Sequence, residues 1–196
     1  MTTVAAYQHD GDVEWGWDSL MVTGNEQGVL LQPKVFAKNG AVYGIGGVAL
    51  AINLIQYAED WPSYEGGDPQ AWIINTLRPA LQKIGLNEPH MDNEEHDHPE
   101  WQLLLSVAGI AFEFDSAFNP ARLAEGIYTL GSGGDYAKGA LYAGAPMMDA
   151  MAAASDIDPY TGGPLYVSYS SKLIENQKNF EIKNSDVAKK PKKDKT

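Results

Sequence analysis

The chain has 196 residues, 44% of them hydrophobic, no cysteine and a formal net charge of −12. That length and apolar content suffice for one domain with a sizeable core, while the missing cysteines exclude disulfides, thiol catalysis and thiolate metal sites. The acidic balance argues against a nucleic-acid partner, because phosphate contact is carried by Lys and Arg. No apolar run is long enough to span a bilayer, and the first residues lack the basic-then-apolar order of a signal peptide. The expectation is a cytoplasmic protein with no membrane partner.

The chain opens Met1-Thr2-Thr3. Removal of Met1, favoured by the small second residue, would leave Thr2 with a nucleophilic hydroxyl and, on the same residue, an amine able to act as its base. No longer propeptide is expected. Val4 to Tyr7 reads as a strand, Asp10-Gly11-Asp12 as a tight turn and Val13 to Trp17 as the return strand, bringing Asp18 back beside Thr2. The plain alternative is an ordinary chain start and an ordinary strand-end acid.

Met21-Val22-Thr23 is a short apolar piece before the Gly24-Asn25 turn signal, and Gly28 to Phe36 reads as a further strand pair. Asn39-Gly40 predicts a hairpin between Lys34–Ala37 and Ala41–Ile45. Lys34 then lies at the outer start of a strand beside apolar Val35, Phe36 and Val42, and needs a carboxylate partner or a lowered pKa. Gly46-Gly47 ends that strand before a mostly apolar helix over Val48–Ala58, so backbone amides at the junction could hold an anion or a developing oxyanion. The same glycines fit a loose dinucleotide fingerprint, but Trp61 to Gly67 offers no second parallel strand.

Asp68-Pro69 predicts a second helix with Asp68 as N-cap and Trp72, Leu77, Leu81 and Ile84 among its apolar positions. Glu88 to Glu100, with His96 and His98, reads as a flexible acidic loop rather than a metal site. Trp101–Gly109, Ile110–Asp115 and Gly126–Leu130 are strand-like and suggest a second sheet. Gly131-Ser132-Gly133-Gly134 turns into a helix around Tyr136–Tyr142. Ser132 is no nucleophile elbow, because Leu130 stands where that motif needs Gly and every histidine precedes Ser132. Pro146 predicts a helix over Met147–Ser155 with Met148, Met151 and Ala152 facing inward. After the Asp156–Gly163 turn, Pro164–Ser170 and Asn179–Ile182 read as closing strands. The expected fold is α+β, a four-layer αββα sandwich of two antiparallel sheets between helical layers. A single domain over residues 1–183 is expected, followed by a disordered Lys-rich tail over 184–196.

Laid out in order, the chain resembles a proteasome β-subunit or its bacterial two-ring relative HslV, in the N-terminal nucleophile hydrolase superfamily. The residues that carry the resemblance are Thr2-Thr3-Val4, Asp18, Gly24-Asn25, Pro33-Lys34-Val35-Phe36, Gly46-Gly47, Leu130 to Ala137 and Asp158-Pro159-Tyr160-Thr161-Gly162-Gly163. The segment from Trp61 to Glu100 departs from the family in length and composition, and Val22 stands where a threonine is usual.

By this resemblance Thr2 is the nucleophile, with its α-amine as general base. Lys34 places positive charge near the Thr2 hydroxyl and amine, and Asp18 holds Lys34. Ser132, Asp158 and Thr161 orient the new terminus, and the Gly47 or Gly46 amide stabilises the tetrahedral oxyanion. Met21, Val22, Gln32 and Leu50 are the expected substrate contacts. The implied activity is that of a threonine endopeptidase acting on polypeptides inside stacked homo-oligomeric rings, without metal or cofactor. The sequence has no ATPase motif, so any unfolding falls to a separate ATPase unfoldase. A catalytically silent ring subunit and a small-molecule amidase of the same superfamily remain alternatives.

Overall fold

The structure, a computed structural model, describes residues 2–23, 26–47, 49–84, 101–114 and 118–188. The acidic loop from Glu88 to Glu100 and the last eight residues of the Lys-rich tail lie outside the described residues. The chain opens with a hairpin of β1 (Val4–His9) and β2 (Asp12–Trp17), which pair from Val4↔Trp17 to His9↔Asp12. Its turn residues Asp10 and Gly11 both have positive φ, +50° and +79°. That combination is the type I′ geometry whose twist matches two antiparallel strands. Asn39 and Gly40 repeat it between β5 (Val35–Lys38) and β6 (Ala41–Gly47), as the sequence predicts.

Among the described residues, three antiparallel sheets result. β10 (Ile127–Leu130), β1, β2 and β11 (Tyr166–Tyr169) form one in that order, and β3 (Leu20–Thr23) with β4 (Glu26–Val29) forms a separate two-stranded ribbon. The third runs β5, β6, β7 (Trp101–Val107), β8 (Ile110–Phe114) and β9 (Pro120–Ala121).

Side chains alternate across these strands, and the alternation sorts the core into three clusters. Val4, Ala6, Val13 and Trp15 meet Val42, Leu104 and Ala111, so the opposed faces of the two large sheets share one cluster. Ala5 and Ile127, from the opposite face of the first sheet, pack with α4 (Gly134–Tyr142) and α5 (Met147–Ile157) through Ala137, Leu141, Met147 and Met151. Tyr43, Ile45, Leu103 and Leu105 pack with α1 (Ala49–Tyr57) and with Ile73, Leu77 and Leu81 of the second helical segment. Between the sheets Trp15 is fully buried and donates its indole N–H to Ser170 at 2.8 Å. Gly44 makes room for it, since a Cβ there would lie 2.5 Å from Trp15 Cζ3.

Several expectations change. The segment Gly28–Phe36 does not form a strand pair of its own: β4 pairs back onto β3, and β5 pairs onward with β6. β7 and β8 extend the β5–β6 sheet rather than starting a second one, because β6 offers β7 a free edge from Ala41 to Gly47. β10 instead pairs with β1, from Val4↔Leu130 to Tyr7↔Ile127. Asp68 caps its helix by accepting from the Gln70 amide at 3.0 Å, as expected. The helix then passes from α2 (Pro69–Trp72) through a π turn (Ile73–Leu77) into α3 (Arg78–Lys83). Pro79 has no N–H to continue an α-ladder, which is a physical reason for the widened turn just before it. On α5 Met147 is buried and Met148 points outward. Asn179–Ile182, expected as a strand, belongs to α6 (Ser170–Ala188). No helix among the described residues is long and apolar enough to cross a membrane.

Candidate active site

The first hairpin carries the site. Its register continues past Val4↔Trp17, so Thr3 meets Asp18: the Asp18 amide donates to the Thr3 carbonyl at 3.2 Å, and the Thr3 amide donates to Asp18 Oδ1 at 2.8 Å. Lys34 stands just before β5, fixed by the Ile45 amide donating to its carbonyl at 2.9 Å, and reaches across to donate to Asp18 Oδ1 at 2.7 Å. The Thr2 hydroxyl donates to the same oxygen at 3.1 Å, while the amides of Leu20 and Gly162 donate to Oδ2 at 3.1 and 3.2 Å. Asp18 therefore collects five donors and has no solvent exposure. A carboxylate so occupied is an anchor and charge partner, with no lone pair left to serve as a base.

Lys34 is 4% exposed and gives a second N–H to the Leu20 carbonyl at 2.7 Å. Burial lowers its pKa, and the charge and hydrogen bond of Asp18 oppose that fall only in part. An ammonium with a weakened hold on its proton, held beside a hydroxyl on a common carboxylate oxygen, favours the deprotonated form of neighbouring groups.

A second acid, Asp158, follows the end of α5. Its Oδ2 accepts from Ser132 Oγ at 2.7 Å and from Thr161 Oγ1 at 2.6 Å, and Oδ1 accepts the Tyr160 amide at 3.3 Å. Burial would raise its pKa, but these hydrogen bonds outweigh burial and hold it below the usual carboxylate value. Thr161 also meets the Thr3 hydroxyl. Thr2 and Thr3 thus continue the β1 alternation: the Thr2 side chain turns toward β6 and the Thr3 side chain toward the 158–163 turn.

Glycines make the space. A Cβ on Gly131 would lie 1.7 Å from the Thr2 carbonyl oxygen, one on Gly133 2.3 Å from Thr3 Oγ1, and one on Gly46 3.2 Å from Thr2 Cγ2. Gly46 is buried behind Thr2, whereas Gly47 is exposed at the strand end with φ +91°, a conformation suited to glycine. Of the two, Gly47 is the residue exposed to solvent.

Thr2, Asp18 and Lys34 are brought together as the sequence suggested, and Ser132, Asp158 and Thr161 form a second cluster linked to the first through Thr3. Ser132 lies on the exposed side of its cluster. Met21 on β3 and Leu50 on α1 are 40% and 62% exposed, and Val22 and Gln32 are half-buried. Sequence reasoning missed Thr3, Gly162 and Gln102; the Gln102 side chain accepts the Gly131 amide at 3.1 Å and faces Gly46 across β6 and β7. The doubled threonine was the available signal, since adjacent strand residues serve opposite faces.

No protein-family model matches the sequence, and no curated protein sequence is similar to it. Solved structures do match. BPH from Thiobacillus denitrificans aligns at a TM-score of 0.64 with 22% identity, over 85% of this chain and 96% of that one. BPH was also solved in complex with epoxomicin, and this second structure aligns at 0.62 with 19% identity. HslV from Trypanosoma brucei aligns at 0.60 with 21% identity, over 85% of this chain and 98% of that one. Anbu, the ancestral β-subunit from Yersinia bercovieri, aligns at 0.60 with 13% identity over 99% of both chains. The chain has the proteasome β-like N-terminal nucleophile hydrolase fold that these proteins share.

Proposed function

We propose that the protein is a threonine endopeptidase that cleaves polypeptides through an acyl ester on Thr2. The observation that carries the reading is the Thr2 hydroxyl and the Lys34 ammonium on one oxygen of Asp18, at 3.1 and 2.7 Å, in a site where each is less than 5% exposed. Once Thr2 is freed of whatever precedes it, its amine accepts the hydroxyl proton and Oγ1 attacks the scissile carbonyl carbon. The oxyanion is held by the Gly47 amide, a kind of donor whose loss typically costs ~3 kcal/mol of transition-state stabilisation. The C–N bond breaks, the leaving amine takes the proton from the Thr2 ammonium, and water, deprotonated by the same amine, hydrolyses the ester. Lys34 favours the neutral amine and the developing alkoxide, Asp18 holds Lys34, and Ser132, Asp158 and Thr161 orient the terminus. Met21, Val22, Gln32 and Leu50 border the substrate, and their exposure fits contact with a ligand.

The reading extends to organisation. Among the described residues, three apolar clusters support a four-layer αββα sandwich in one domain over residues 1–183; α6 runs on to Ala188, so a tail counted from residue 184 begins within that helix. A closed homo-oligomeric double ring in the cytoplasm would sequester an unspecific peptidase, and a separate ATPase would supply unfolded chains. The test is incubation with epoxomicin, the compound in the BPH complex, followed by intact-mass measurement. A single adduct on protein whose first residue is Thr2 is expected; unmodified protein with that same terminus refutes the proposal.

A further inference from the structure

The contacts of Thr3 fit a role beyond strand packing. It is fully buried, and it is hydrogen-bonded to the Asp18 cluster and to the Asp158 cluster alike. Its amide donates to Asp18 Oδ1 and its carbonyl accepts from the Asp18 amide. The direction of its hydroxyl bond follows from proton inventory. Thr161 has one hydroxyl proton, and that proton is on Asp158 Oδ2 at 2.6 Å; the proton between Thr3 Oγ1 and Thr161 Oγ1 is therefore supplied by Thr3. The series runs Thr3 to Thr161 to Asp158, and Gly162, the residue after Thr161, donates its amide to Asp18 Oδ2, so the Thr161–Gly162 backbone links the two acids.

The donors around Asp158 assign its lone pairs. Oδ2 is filled by Ser132 and Thr161, so its spare acceptor capacity is on Oδ1, which among the described residues takes the Tyr160 amide at 3.3 Å. Without the Thr3 proton, the Thr161 hydroxyl is left with an unfilled acceptor in a dry site and can rotate away from Asp158. A Cβ on Gly133 would lie 2.3 Å from Thr3 Oγ1 and 2.4 Å from Thr161 Oγ1, so the backbone beside this contact is glycine and closes over it.

We propose that Thr3 is a positioning residue for the proposed peptidase reaction: its hydroxyl, joined through Thr161 to Asp158, and its amide on Asp18 fix both acids relative to Thr2. The assignment rests on that reading of the site. A packing role would be indifferent to the hydroxyl; a positioning role requires it and acts on turnover rather than on substrate binding.

The experiment uses the assembled protein with Thr2 as its first residue, a fluorogenic peptide, and light scattering to confirm the same particle size in every variant. Thr3→Ala is expected to lower kcat about 10- to 100-fold, the penalty of slightly misplaced groups, with KM within about twofold. Thr3→Ser keeps the hydroxyl and is expected within about threefold of wild type. Thr161→Ala removes the bond to Asp158 as well and should lose at least as much as Thr3→Ala, and the double variant should be little worse than Thr161→Ala alone. Should Thr3→Ala fail to assemble, Thr3→Val, which keeps the branched shape and removes only the hydroxyl, decides in its place. Wild-type kcat in the Ala variants, or equal loss in Thr3→Ser and Thr3→Ala, overturns the assignment of Thr3 alone. A wild-type protein inert to peptides and to epoxomicin removes the peptidase reading and, with it, the role of Thr3.

Discussion

Asp18→Asn keeps the shape of the side chain and reverses the hydrogen-bonding sense of one of its atoms. If the amide nitrogen takes the place of Oδ2, it confronts the amides of Leu20 and Gly162; if it takes the place of Oδ1, it confronts the Thr2 hydroxyl, the Thr3 amide and the Lys34 ammonium. Each buried donor left unmet costs about 1–3 kcal/mol, and breaking one side of a buried ion pair costs about 3–5 kcal/mol. The two penalties overlap, since they fall on the same groups, and an expected total of about 3–5 kcal/mol follows. For a chain of this size that corresponds to a fall in Tm of about 6–20 °C, read by thermal unfolding at fixed protein concentration. The deficit should depend on pH. In the variant the Asp18 charge that raises the Lys34 pKa against burial is gone, so its folded value falls further below the ordinary 10.5. Between those two values the unfolded chain binds more protons than the folded one, and stability rises with pH. The deficit should therefore be complete below the folded pKa of Lys34 and shrink as the pH is raised toward 10.5. A Tm within about 3 °C of wild type at neutral pH, or a deficit unchanged across that window, would refute the account of Asp18 as the saturated partner of a buried ammonium.

Thr2→Ser retains hydroxyl and amine on one residue and should keep part of the peptidase activity, whereas Thr2→Ala should abolish it and leave particle size by light scattering unchanged. Gly44→Ala should lose about 1–3 kcal/mol in urea unfolding, because the added methyl falls 2.5 Å from Trp15 Cζ3 between two packed sheets; wild-type stability would mean that Trp15 can move aside.

What was legible in the sequence is what local chemistry determines. Asp10-Gly11 and Asn39-Gly40 specify two-residue turns, and a two-residue turn sets the register of its hairpin, so the approach of Thr3 to Asp18 follows from counting along two strands. Lys34 was legible for the same reason, as the residue leading into the next hairpin. Partnership between distant strands was not. The alternation in β7, β8 and β10 says which side chains share a face, but nothing in it says which sheet each strand joins. The stretch Asn179–Ile182 shows how a short window misleads: four residues alternate like a strand, but they follow Ser170 in a longer helical run whose Leu173 and Ile174 pack into the cluster between the sheets. The Thr3 connection to Asp158 was hidden because it joins residues 158 positions apart, and its acceptor geometry exists only once the Thr161 turn has closed over the hairpin.

The interior of the site also bears on whether it is built for chemistry. Lys34 and Asp18 are 4% and 0% exposed, and a buried ion pair is a weak source of stability, since desolvation offsets much of its attraction and a well-packed apolar pair often does as well. The apolar clusters of the described residues include Trp15, Tyr43 and Leu105 at 0% exposure, and neither member of that pair belongs to them. Stability alone therefore does not call for a lysine at position 34. What an apolar pair could not supply is an ammonium, with a weakened hold on its proton, beside a threonine hydroxyl on a common carboxylate oxygen. The proposed function would supply a requirement for that charge, because its reaction develops negative charge on Thr2 Oγ1.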